Sequence, residues 1–308
     1  MKRFHNILVL IADNDRGPAA LKRAASLAKQ NSAKLTLVQV IDPLPKVPDA
    51  EIGEAKKLDK ERESKALSRL EQIAAPLRDS GIQAGYSVLR GKPAEQAVSL
   101  VYKHGYDLVM KTAQEPEGVF RRLFGTTGWR LFRNCPCPVW IIKETPEAKI
   151  GSVLAAVDPA PAGEERDPQN LKILQLASSI ARNDGAELHV VYVAPDNATL
   201  SNTKSAETGT LDPKSDKASL GECALAELIT SFQDAGQIDH VHFRVGVPGE
   251  VIPKLARELK VELLVIGSVS RNGMKEFLIG NTAERVLDQI DCSVLTLKPD
   301  DFVVPLHT

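Results

Sequence analysis

The sequence has little of several things, and each shortage excludes something. Four cysteines in 308 residues cannot build a disulfide framework, so a disulfide-stapled secreted fold is excluded. Charge of either sign is not in excess: 40 acidic side chains face 39 basic ones, and no global field draws the chain to nucleic acid or to an anionic bilayer. No apolar run approaches the roughly 18 to 20 residues of a membrane-spanning helix. Asp13 and Asp15 interrupt the apolar core that would have to follow Met1-Lys2-Arg3 in a signal peptide. The expected compartment is the cytoplasm. Catalytic signatures are missing too: there is no Walker A motif, nucleophile elbow or HExxH helix. Ser201-Asn202-Thr203-Lys204 matches S-x-x-K, but it lies in a polar stretch with nothing to desolvate the lysine, and is read as chance.

What is present is a repeat. Adding 155 to a residue number carries Gly91, Pro93 and Glu95 onto Gly246, Pro248 and Glu250. The same shift carries Thr127, Arg130, Cys137, Val139 and Lys143 onto Thr282, Arg285, Cys292, Val294 and Lys298. The offset holds from Gly81/Gly236 to the end of each copy, and an extra stretch near Pro159–Asp167 alters it upstream. At roughly 150 residues per domain, the expected division is into residues 1–146 and 147–308.

Each copy alternates strands with helices. Ile7–Ala12 is a continuous apolar run of strand length, expected to be buried on both faces, and Leu35–Ile41, Tyr86–Leu89, Asp107–Lys111 and Pro138–Lys143 are read as the other four strands. Between them Leu21, Ala24, Ala25 and Ala28 stripe one helix, and Leu67, Leu70, Ile73, Ala74 and Leu77 another that stops at Gly81. Pro93–His104 and Gly125–Asn134 supply two more. Pro43, Pro45 and Pro48 make Asp42–Gly53 a loop or lid. The second copy follows with strands at Val153–Val157 and Leu188–Val193, a helix at Leu171–Ala181 and a polar stretch at Asn197–Ser219 read as mobile. Such alternation implies parallel strands joined by right-handed crossovers, an α/β class.

The richest segment is Glu262–Lys298. Leu263–Ile266 reads as a buried strand ended by Gly267, a Gly- and Ser-bearing loop follows, and Gly280-Asn281-Thr282 opens a helix with Ala283, Val286, Leu287 and Ile290 on one face. Cys292–Leu297 closes the unit as a strand. A tight loop that leaves a strand and ends at a helix N-terminus gathers backbone N–H groups around an anion.

The intervals Gly267, Ser270, Gly280, Asn281 resemble the G-x2-G-x9-G-[ST] motif of ATP-binding universal stress proteins, with Ser270 for the second glycine and Asn281 for the final Ser/Thr. Asp107–Gln114 (DLVMKTAQ), Cys135–Lys143 (CPCPVWIIK) and Phe277–Gln289 (FLIGNTAERVLDQ) make the chain similar to the two-domain, E-type bacterial members of that family. The resemblance implies two tandem doubly wound, Rossmann-like domains of the adenine nucleotide alpha hydrolase type, each a five-stranded parallel sheet of order 3-2-1-4-5. In that order a ligand sits outside the strand carboxyl ends between strands one and four. It implies ATP in domain 2, with Asp158, Val193 and Ile266 on the adenine side and Gly267, Ser270, Gly280, Asn281 and Thr282 on the phosphate side. It also implies a non-catalytic stress-response protein and, since single-domain relatives dimerise through strand five, an intrachain pairing of the two copies or a homodimer.

Copy one keeps the register at Thr112, Glu115, Gly125 and Thr126, but Glu115 and Glu117 put carboxylates where phosphates would lie, so it is not expected to bind ATP. It carries instead Phe120, Phe124, Trp129, Phe132 and Trp140 interleaved with Arg121, Arg122, Arg130 and Arg133. These are read as core aromatics under a solvated basic face. The alternative is a pocket for an amphiphilic anion, or an interface, built on Phe120, Arg121, Arg122, Phe124, Trp129 and Arg130. Two further functions stay open: a scaffold with neither crevice filled, and a weak ATPase or phosphotransferase with Asp158 near the crevice. Cys135-Pro136-Cys137 lacks the spacer of a redox pair and a partner set for zinc, so both thiols are expected in the core, Cys137 at the position of Cys292. His240 and His242 share one strand face without an evident partner and are expected to be structural.

Overall fold

The computed structural model describes residues 4–12, 19–43, 48, 52–113, 124–144, 149–159, 168–195, 213–232, 238–268, 280–299 and 302. Two compact units divide the chain, one in Met1–Ala148 and the other in Lys149–Phe302.

In unit 1 the apolar runs become β1 (Asn6–Ile11), β2 (Lys34–Ile41), β3 (Gln83–Arg90), β4 (Leu108–Thr112) and β5 (Val139–Ile142). The helices between them are α1 (Ala19–Asn31), α2 (Ile52–Asp79), α3 (Pro93–His104) and α4 (Gly125–Asn134). All four strand pairings are parallel, in the order β3-β2-β1-β4-β5. Unit 2 repeats the arrangement with β6 (Ser152–Ala156), β7 (Glu187–Ala194), β8 (His240–Val245), β9 (Leu263–Gly267) and β10 (Ser293–Leu297). Its helices are α5 (Pro168–Asp184), α6 (Pro213–Ser231), α7 (Pro248–Glu258) and α8 (Asn281–Gln289), and its parallel order is β8-β7-β6-β9-β10. Both halves are therefore α/β sheets of order 3-2-1-4-5.

The central strands are the most apolar because helices cover both of their faces: β4 is buried at every position and β1 at all but its first. The shared offset is visible in the elements themselves, since β4 shifted by 155 falls on β9 residue for residue. Each copy also fastens the start of its first strand with the acidic residue that precedes its fourth. Asp107 accepts the backbone N–H groups of His5 (2.6 Å) and Asn6 (3.1 Å), and Glu262 accepts that of Gly151.

Two loop expectations are corrected. Helix α2 begins at Ile52, inside the stretch read as a loop up to Gly53. One glycine costs a helix about 1 kcal/mol relative to alanine, which 28 residues with a buried stripe easily absorb. Helix α6 begins at Pro213, inside the polar stretch Asn197–Ser219, because proline suits a first helical turn whatever the polarity around it.

The copies differ in detail where packing is tight. A Cβ on Gly128 in α4 would lie 2.7 Å from Ile141 Cδ1 and 3.0 Å from Phe124 Cβ, whereas the register-equivalent residue of α8 is the buried Ala283. Helix α3 ends on Gly105 in the left-handed conformation (φ 64°), and the equivalent residue after α7 is Lys260 at φ 50°. A side chain there is strained by roughly 1–2 kcal/mol. Lys260→Gly should therefore raise the stability of unit 2 by about 1 kcal/mol, read as a higher urea midpoint. An unchanged or lower midpoint would show that the turn is not strained.

Candidate functional site

Strand register brings most of the sequence-predicted residues to one pole of unit 2. Ala156 of β6 lies opposite both Val191 of β7 and Ile266 of β9. Asp158, two residues beyond Ala156, thus sits with Val193, Ile266 and Gly267 at the carboxyl ends of the three strands. Val193 and Ile266 are buried, while Asp158, Asn281 and Thr282 are exposed. The N-terminus of α8 is fixed to this pole because the Gly280 N–H donates to the Ser268 carbonyl at 3.0 Å. Ser270 lies outside the described residues.

The end of β10 anchors the pole. The Leu297 carbonyl accepts the Ser268 N–H (2.9 Å), the Ser268 hydroxyl (3.2 Å) and the Gln169 side-chain amide (2.9 Å). Ser268 is wholly buried, and a buried carbonyl with satisfied lone pairs makes a rigid platform.

Several of these residues are engaged by the protein itself. The close backbone approach that Gly267 permits is taken by the protein itself: a Cβ on Gly267 would lie 3.0 Å from Gln169 Nε2. The Gly280 N–H is bound to Ser268 and is not aimed at a ligand. Besides Gly280, the N–H groups of Asn281, Thr282 and Ala283 are the ones that helix geometry leaves without an intrahelical acceptor, since the Glu284 N–H is the first bound within the helix, to the Gly280 carbonyl at 3.0 Å; Asn281 and Thr282 are the exposed pair. Asp158 has its main chain engaged in both directions by Asn170, which accepts its N–H at 2.9 Å and donates to its carbonyl at 2.8 Å. Gln169 and Asn170, both buried in the first turn of α5, were not found in the sequence. The signal that could have found them is a pair of adjacent amides one residue into a helix beside the crevice.

Unit 1 builds the same platform, the Ala113 N–H donating to the Ile142 carbonyl at 2.7 Å. Its crevice is nonetheless different. Where unit 2 has Ile266, unit 1 has the buried Lys111, whose ammonium donates to the Thr112 carbonyl at 2.5 Å. Gly125 enters α4 at φ 56°, against −56° for Gly280 at the head of α8, so the two helix entries are not conformationally equivalent. Glu115 and Glu117 lie outside the described residues.

The aromatic group of unit 1 is core. Phe124 is 1 % exposed, and Phe132 and Trp140 are fully buried. Phe124, Phe132 and Trp129 meet edge to face with ring centroids 5.1–6.4 Å apart. Phe124 therefore cannot serve as an exposed contact, because its ring is spent on its neighbours. Trp129 is half-buried beneath the Arg133 guanidinium, 6.0 Å from its ring centre, and Arg130 is exposed 3.7 Å from Glu95. Phe120, Arg121 and Arg122 lie outside the described residues, as does Ser201–Lys204.

The cysteines Cys135 and Cys137 face each other with sulfurs 3.5 Å apart, neither of them in a disulfide. Cys135 and Cys292 are buried, whereas Cys137 is half-buried, so the deeper thiol of the pair is not the one the repeat suggested. The hydrogen bond shared with Cys135, reinforced by burial, pushes the Cys137 thiol well above its ordinary range, which keeps it an unreactive thiol. His240 and His242 do have a partner: His189 of β7 lies against both rings, a contact invisible in sequence because it depends on strand pairing. Burial first, and then the neighbouring imidazole, hold His189 and His242 below the usual histidine range.

Comparison with known proteins agrees with this architecture. The model of the universal stress protein family matches residues 3–143 and again 150–298. Universal stress protein E of Salmonella typhi is 30% identical over 325 residues, covering 100% of this chain and 98% of its own. Universal stress protein E of Photorhabdus laumondii is 28% identical over 317 residues, covering 99% and 98%. Among solved structures, one from Pseudomonas aeruginosa UCBPP-PA14, described as a universal stress protein, is similar with TM-score 0.73 and 28% identity over 98% of this chain and 95% of its own. No helix among the described residues is long and apolar enough to cross a membrane. With two matched copies and full-length relatives on both sides, the chain belongs to the universal stress protein family as a tandem two-domain member.

Proposed function

We propose that this protein is a cytoplasmic stress-response protein that works by binding rather than turnover, and that the crevice of unit 2 takes the phosphate end of a nucleotide such as ATP. The observation that carries the reading is the first turn of α8. Its Asn281 and Thr282 N–H groups stand at a helix N-terminus pinned to β9 by the Gly280–Ser268 bond, where the backbone favours an anion. Glu284 in the same turn opposes that charge, and Gln169 over Gly267 must move for a sugar or base to approach. Affinity is correspondingly modest. Unit 1, with Lys111 in place of Ile266 and a different entry to α4, does not bind nucleotide in this way. In this reading the two units serve one chain as paired subunits serve single-domain relatives. An amphiphile site in unit 1 loses Phe124 to the core, and a weak ATPase would rest on the Asp158 carboxylate alone.

Isothermal titration with ATP and Mg²⁺ tests the reading. One site per chain is expected, abolished by Gly280→Trp. Gln169→Ala should tighten binding, because the hydrogen bond that the ligand must break is worth about 0.5–1.5 kcal/mol, or roughly 2- to 13-fold in affinity. Binding that ignores Gly280→Trp places the ligand elsewhere, and no binding by either the wild type or Gln169→Ala leaves the scaffold reading.

A further inference from the structure

We infer that Glu187, His189 and His240, with His242 behind them, form a binding site for a divalent transition-metal ion of the zinc type. The site is independent of the nucleotide crevice. Glu187 and His189 lie at the amino-terminal end of β7 and His240 opens β8, whereas the crevice lies beyond the carboxyl ends of the same sheet.

The fold assembles the group from two strands. Residues two apart on a strand share a face, which puts Glu187 with His189 and His240 with His242. The register sets His189 directly opposite His240 in a parallel pair, so all four side chains stand on one face of the sheet. Three of the six histidines in the chain are thereby concentrated on adjacent strands, at the edge of the unit's sheet.

Distances and chemistry fit an ion. The nearest ligand atoms of Glu187, His189 and His240 lie within 4.8 Å of one another. His189 Nε2 is 3.6 Å from Glu187 Oε2. Two ligands each 2.0–2.1 Å from a tetrahedral zinc stand about 3.4 Å apart, so this pair is already near bite distance. The other ring nitrogen of His189, Nδ1, lies 3.1 Å from His242 Nε2. A ligating imidazole is oriented in this manner by a hydrogen bond on its non-ligating nitrogen. His189 is 4 % exposed and fixed, while Glu187 and His240 are exposed and free to adjust. His240 now stacks on His189 with centroids 4.7 Å apart and planes at 16°, and must turn out of the stack to aim its lone pair at the ion. Asp239 does not join, because its carboxylate accepts the Leu188 N–H at 2.8 Å. Two imidazoles and one carboxylate, with a water in the fourth position, suit Zn²⁺ and its neighbours rather than the oxygen-seeking Mg²⁺ or Ca²⁺.

The test uses the full chain without a histidine tag, stripped with chelator and titrated with Co²⁺, then with Zn²⁺ against a chromophoric chelator. One equivalent of Co²⁺ should give the intense visible absorption of a low-coordinate ion, and Zn²⁺ should displace it. His242→Gln should weaken Zn²⁺ binding by about 10- to 100-fold, and His240→Gln and Glu187→Gln, both at exposed positions, by at least as much. His104→Gln, on another element, should leave it unchanged. Circular dichroism of each variant separates ligand loss from unfolding. A weak six-coordinate Co²⁺ spectrum, or affinity that survives both His240→Gln and Glu187→Gln, overturns the site and leaves a stacked histidine group that binds no ion.

Discussion

Phe132→Ala should lower the unfolding free energy of unit 1 by about 3–5 kcal/mol, the range for emptying a buried aromatic position. Phe132 has no exposed surface, and it meets Phe124 and Trp129 edge to face at 5.1 and 6.4 Å. The cavity left behind cannot readily collapse, because Gly128 already seats α4 against Ile141 with no room for a methyl group. Trp129→Ala, at a half-buried position, should cost distinctly less. Urea unfolding followed by far-ultraviolet circular dichroism reads both. A Phe132→Ala cost below about 1 kcal/mol would contradict a close-packed aromatic core. The experiment also bears on function, since a core role for these rings is what separates them from a surface for an amphiphilic partner.

Asp107→Ala should cost about 2–3 kcal/mol, because two backbone N–H groups lose a charged acceptor at once. The carboxylate joins the loop before β4 to the start of β1, across more than a hundred residues of sequence, through the N–H groups of His5 and Asn6. Asp107→Asn keeps one acceptor oxygen and should fall between wild type and alanine. Glu262→Ala in the second unit should cost less than Asp107→Ala, since Glu262 holds the single N–H of Gly151. Losses below about 0.5 kcal/mol at both positions would show that the device is not what holds the first strand. A normal far-ultraviolet spectrum at low temperature distinguishes a weakened fold from an absent one.

The two units keep the same scaffold while their crevices diverge. Platform bonds recur at Ala113–Ile142 and Ser268–Leu297, and the strand-fastening acid recurs at Asp107 and Glu262. What changes lies above the platform: Lys111 against Ile266, and a left-handed Gly125 (φ 56°) against Gly280 at φ −56°. Residues that hold a sheet together are constrained by every neighbour. Residues facing a crevice are constrained chiefly by what enters it, so the copies are free to differ there.

Local pattern was enough to read the element order, the duplication and the α/β class. Apolar runs of strand length, prolines at Pro93 and Pro248, and turn glycines act over a few residues, and a shift of 155 aligns them wherever they lie. The pole of unit 2 was reached with the family resemblance, which supplied the strand order that sets strands one and four side by side. Folding alone decided who occupies the pole. Gln169 covers Gly267 and Asn170 engages the main chain of Asp158 because α5 delivers its first turn to the end of β6. It likewise decided that His189 meets His240 and His242, about fifty residues away, since only the pairing of β7 with β8 sets that register. Short-range order is written in side-chain sequence, but contacts between distant residues depend on how whole strands and helices come to rest against one another.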